Sequence, residues 1–124
     1  MGIWFKLGCI NAFLAIALGA FGAHALEDRL DADMMDVFHT GVQYHMMHAL
    51  GLFVVAYAAG KYCGSKRVQW AGRLMMAGIV LFSGSLYVLA MSGIKPLGAI
   101  TPFGGVAFLT AWALLAFGAK PASQ

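Results

Sequence analysis

Three of the four histidines fall in one short stretch, Phe38-His39-Thr40-Gly41-Val42-Gln43-Tyr44-His45-Met46-Met47-His48-Ala49-Leu50. His45 and His48 stand at i and i+3, so on a helix they share a face. Neutral imidazole is a common metal ligand, and the thioethers of Met46 or Met47 suit Cu(I). With a third nitrogen from His24, the residues His24, His45 and His48 form a candidate metal or haem set. A second chemistry is a pocket for a quinone or lipid headgroup. There His24, Tyr44, His48 and Tyr87 would be the polar contacts, and Phe21, Trp112 or Tyr87 the walls. A third use needs no ligand. Imidazole donates from one nitrogen and accepts at the other, which suits a hydrogen-bonded bridge between helices. The His-x5-His-x2-His spacing matches no recognised metal signature, so bridging carries more weight.

The elements that must position these residues follow from composition. The chain has 124 residues, enough for a single domain spanning 1–124. It is 61% hydrophobic and 10% charged, with a mean hydropathy of +0.79. Soluble domains are about 45–50% apolar and about 25% charged, so lipid must cover the excess. A formal charge of +3 does not indicate nucleic acid, because the charges are segregated. All five acids (Glu27, Asp28, Asp31, Asp33, Asp36) fall within 27–36, and Lys61, Lys66, Arg67 and Arg73 within 61–73. Such alternation is a topology signal.

Four apolar segments are long enough to cross about 30 Å of hydrocarbon: approximately 3–26, 42–62, 68–92 and 97–118. The first resembles a signal peptide, with Lys6 near its start and Ala23-His24-Ala25 in A-x-A form. Its length and its continuity with the acidic connection argue against cleavage. Gly8, Ala12, Ala15, Gly19 and Gly22 form a small-residue stripe that lets a neighbouring helix approach closely. Phe13, Ala17, Ala20 and His24 lie opposite. On a regular helix both faces would meet protein, which predicts a central first segment. Asp31 or Asp33 is placed to cap the second helix, and Met34, Met35, Phe38 and Val42 continue its spacing. Asn11 is a candidate interhelical hydrogen bond, and Ser83 and Ser85 are expected to bond to their own helix or a neighbour. Gly41, Gly51, Gly84, Gly104 and Gly105 mark either pocket walls or close helix packing.

Four spans put both ends of the chain on one side. The positive-inside rule makes that side cytoplasmic, with Lys6, Lys61, Lys66, Arg67, Arg73 and Lys120 inside against Arg29 and Lys95 outside. The acidic connection 27–36 then faces outward and the basic connection 61–73 the cytoplasm. Cys9 and Cys63 would share the reducing side, so no structural disulfide is expected. His24, His45, His48, Tyr87, Ser92 and Thr101 would approach one outer-leaflet depth. No span carries a mid-depth carboxylate, which disfavours transport by a single chain.

Four blocks of sequence resemble a known family: Gly19-Ala20-Phe21-Gly22-Ala23-His24-Ala25-Leu26; Thr40-Gly41 with Tyr44 and His48; Leu81-Phe82-Ser83-Gly84-Ser85-Leu86-Tyr87; and Thr101-Pro102-Phe103-Gly104-Gly105 with Phe108 and Trp112. They are similar, in the same order, to the transmembrane protein 256-like small membrane proteins catalogued as domain of unknown function 423. The resemblance covers nearly the whole chain, one block per span. It implies a compact four-helix membrane protein of bacteria and mitochondria-bearing cells, and it brings no catalytic residue. Family members tend to carry glutamine at the position of His45, in a Tyr-Gln-x-x-His arrangement. That shifts the weight from three histidines towards Tyr44 and His48 paired with His24.

The expectation is therefore an all-α, integral membrane, antiparallel four-helix transmembrane bundle of the bacterial inner (plasma) membrane, with both termini cytoplasmic. It is a non-enzymatic accessory or scaffold protein with no catalytic residue. No cofactor is expected, and the alternative is a metal-, haem- or quinone-binding redox helper. Its partners are the lipid bilayer and either another membrane protein or further copies of itself, and not nucleic acid.

Overall fold

A computed structural model describes residues 2–119 of the chain. Lys120 and Pro121, near the close of the expected fourth span, lie outside the described residues. The described chain is all-helical, with four long helices and no strand among these residues. Helix α1 is Gly2–Leu26, α2 is Ala32–Lys61, α3 is Lys66–Ser92 and α4 is Thr101–Gly118. A 3-10 turn, Lys95–Ala99, leads into α4.

The helix ends follow local chemistry. Asp31 is the N-cap of α2, its Oδ1 accepting from the Met34 N–H at 2.8 Å. Ser65 caps α3 in the same way through Val68. Gly93 stops α3 in the left-handed region at φ 71°, a conformation that costs glycine little. Pro102 sits in the first turn of α4, where its missing N–H breaks no helical bond.

Three helices, α1, α3 and Lys95–Gly118, are long and apolar enough to cross a membrane. Helix α2 is the longest at 30 residues and falls outside that group. Its apolar run is interrupted by Gln43, Tyr44, His45 and His48. The polar helix is also the one the others surround. Trp112 and Phe108 of α4, Tyr87 and Met75 of α3, and Asn11 of α1 all touch α2. Leu52, Val55, Ala56, Val68, Ala71, Met75, Phe108 and Ala111 form the buried core around it.

The expectation of a central α1 is corrected. The small stripe packs on a neighbouring helix as predicted, and that helix is α2: Gly8 lies against Phe53, Gly19 against Val42 and Gly22 against Phe38. The opposite face is largely open, since Phe13, Ala20 and His24 are exposed and Ala17 is half-buried. Helix α1 is the least buried of the three apolar helices. Nor are the helices regular. Leu18–Gly22 of α1 and Ile79–Gly84 of α3 are π-helical.

Candidate functional site

Two hydrogen-bonded networks are built around α2, one on each buried histidine. His45 and His48 lie 13 and 16 residues into the helix, about 20 and 24 Å from its start. The expected convergence at the outer end is thus replaced by one near mid-helix.

The His45 Nε2 lies 3.0 Å from Asn11 Oδ1, and its Nδ1 lies 2.9 Å from the Tyr87 hydroxyl. The Asn11 amide orientation is fixed independently, because its Nδ2 donates to the Leu7 carbonyl at 2.8 Å. Reversing it would set two carbonyl oxygens against each other. Asn11 Oδ1 can only accept, so His45 Nε2 carries the proton. The Tyr87 O–H then donates to the bare Nδ1. One ring thereby ties α1, α2 and α3 together. Asn11, a secondary candidate in the sequence, is one of the three members.

His48 is held in the opposite tautomer. Its Nδ1–H donates to the Tyr44 carbonyl one turn back at 2.8 Å, and its Nε2 accepts from the Trp112 indole N–H at 3.0 Å. The ring lies flat on Phe108, with centroids 3.5 Å apart and planes at 7°. Trp112 is thus a hydrogen-bond donor, and it also walls, with Tyr44, His48 and Phe108, an apolar cavity of about 320 Å³. Tyr44 contributes its backbone carbonyl to His48, while its ring packs on Phe82 at 4.6 Å.

The remaining candidates lie elsewhere. The His24 side chain is 86% exposed and faces Glu27, with Nδ1 to Oε2 at 3.8 Å. It shares a surface cleft with Met35 and His39, not with His45 or His48. Among the described residues no group of three His, Cys, Asp or Glu side chains stands where one metal ion could be held. The set His24, His45 and His48 is not brought together. Phe21 is exposed. Ser92 bonds to its own helix at the Val88 carbonyl, and Thr101 pairs with Ser85 at 2.6 Å. Ser83 departs from expectation, since its hydroxyl is fully buried and has no partner among the described residues. Cys9 and Cys63 are free and exposed.

The Gln69 side chain accepts from the Trp4 indole at 3.0 Å, clasping α1 to α3 at the basic end. Sequence reasoning missed this pair, because a glutamine and a tryptophan 65 positions apart show no local spacing.

These features define a small helical membrane protein with a polar clamp inside its apolar body. Comparison with known proteins agrees. The family model "Protein of unknown function (DUF423)" matches residues 18–105, and the chain belongs to that family. The UPF0382 membrane protein YwdK of Bacillus subtilis is 59% identical over 115 residues, covering 93% of this chain and 94% of the relative. UPF0382 membrane proteins of Staphylococcus saprophyticus and Staphylococcus epidermidis are 45% and 47% identical, covering 95% and 93% of this chain and 97% and 93% of theirs. No solved structure matches the chain.

Proposed function

We propose that the protein is a non-enzymatic component of the bacterial plasma membrane, an accessory or scaffold protein. Its four helices cross in antiparallel order, with the acidic connection 27–36 outside and the basic connection 61–73 and both termini in the cytoplasm. The two histidine networks brace the bundle, so that it offers a fixed surface to a membrane-protein partner or a further copy of itself.

One observation carries this reading: every ring nitrogen of His45 and His48 already has a protein partner. A metal or haem ligand needs a free lone pair. Here the two lone pairs receive the Tyr87 O–H and the Trp112 N–H. Binding at either ring would strand a polar hydrogen inside an apolar bundle, which is costly where no water can compensate. The resemblance to proteins with glutamine at position 45 supports the same view. A glutamine amide can donate to Asn11 and accept from Tyr87, but it is a poor substitute for a metal-ligating imidazole.

The test is the purified protein itself, with and without His48→Ala. The proposal expects a featureless visible spectrum, no metal in stoichiometric amount, and a loss of stability in the variant. A cofactor or metal present in the native protein and absent from His48→Ala would establish the redox-helper alternative instead. In-membrane crosslinking should recover a recurrent partner, or a second copy of the chain. Failure to recover either would overturn the scaffold role.

A further inference from the structure

Helices α1 and α3 are clasped at the basic end by Trp4. Trp4 covers Gly72 and bonds to Gln69. Immediately beyond this clasp opens an apolar groove of about 440 Å³, walled by Leu7, Ile10 and Leu14 on one side and Met76, Val80 and Gly84 on the other. Asn11, His45 and Tyr87 border its floor with their polar atoms turned to each other. Gly84 is informative here. A Cβ at that position would meet nothing nearer than 3.9 Å, whereas one at Gly72 would press into Trp4. The missing side chain at Gly84 serves no helix contact within the chain and leaves the groove open. The groove also follows the π-helical stretch Ile79–Gly84, and such stretches accompany functional sites more often than chance.

A second recess of about 300 Å³ lies at the other side of the clasp, lined by Ser65, Lys66, Gln69, Trp70 and Arg73 among others. Arg73 lies over the Trp70 ring at 4.9 Å. No Asp or Glu of the chain can neutralise these cations, because all five acids fall within 27–36 at the opposite end of α2. Along α3, Gln69 and Arg73 line the recess, and Met76, Val80, Gly84 and Tyr87 line the groove, so the two form one stripe down the helix. From Met76 to Tyr87 is 11 residues, a rise of about 16 Å. That is close to half of the roughly 30 Å hydrocarbon thickness of a bilayer.

We propose that this stripe is a binding site for one anionic glycerophospholipid. Its phosphate rests in the recess with Lys66 and Arg73, and one acyl chain lies in the groove between α1 and α3. Charge complementarity selects the headgroup, and the groove's depth matches the chain of a single leaflet. The site does not depend on the scaffold role, since it requires only that α3 crosses the membrane.

Native mass spectrometry of the full-length protein, released from detergent with phosphatidylglycerol or phosphatidylcholine of identical chains, tests this. One phosphatidylglycerol should be retained per chain, and Lys66→Gln or Arg73→Gln should each reduce its preference over phosphatidylcholine about fivefold. Gly84→Leu should lower retention of both lipids at least about tenfold by displacing buried methylenes. Val80→Trp, at an exposed position, gives the same readout if Gly84→Leu does not fold by circular dichroism. Equal retention of the two lipids by the native protein, or unchanged retention in the groove variants, would overturn the proposal. So would full displacement of the lipid by glycerol 3-phosphate, which would mark the recess as a site for free phosphate esters.

Discussion

At the scale of single residues, the two histidines differ in what they tolerate. His45 joins an acceptor, Asn11 Oδ1, to a donor, the Tyr87 O–H, and an amide side chain can do both. His45→Gln should therefore fold with near-native stability, whereas His45→Leu should lose about 0.6–1.7 kcal/mol for each interhelical bond broken. Thermal unfolding in a defined detergent checks the order. If Leu and Gln behave alike, the bridge contributes nothing. Trp112→Phe removes the indole donor to His48 Nε2 while keeping a ring in place, and should cost a similar amount. A double-mutant cycle of Tyr87→Phe with His45→Leu should show coupling, because both substitutions break the same bond.

At the scale of helices, glycine positions divide by what surrounds them. A Cβ at Gly104 would collide with the backbone of Phe82 on α3, while one at its neighbour Gly105 would meet only the Phe82 ring edge at 3.9 Å. Gly104→Ala should thus destabilise by about 1–3 kcal/mol. Gly105→Ala should be neutral or slightly stabilising, since alanine is the better helix former. Equal effects in an unfolding assay would contradict the close α3–α4 contact. This division marks the limit of what the sequence disclosed. The all-helical class, the caps and the packed stripe of α1 were legible because hydropathy, capping residues and helical spacing are local. Asp31 and Gly8 each acted as expected. The π-helical stretches were not legible, because they change helix register without changing composition. His24 was set near His48 for another reason: α2 begins at Ala32 and not near 42, so His48 lies about 24 Å along the helix from the end that His24 occupies. His45 was undervalued for a different reason: its partners Asn11 and Tyr87 come from two other helices, and only packing brings them together.

At the scale of the whole molecule, charge is sorted to the two ends and the polar clamp sits between them. The proposed orientation predicts that a cysteine replacing Asp33 reacts with an impermeant thiol reagent in intact cells, and one replacing Ser65 does not. Both belong in a background lacking Cys9 and Cys63, because those thiols are free and exposed. Reversed labelling would invert the topology while leaving the clamp intact. The central claim, that His45 and His48 brace the bundle instead of binding a ligand, is tested most directly by nitrogen NMR of the two imidazoles in the native protein. The account predicts opposite neutral tautomers, His45 protonated at Nε2 and His48 at Nδ1, unchanged by added Cu(I), Zn²⁺ or haem. A nitrogen of either ring shifted or broadened by one of these additions would contradict it.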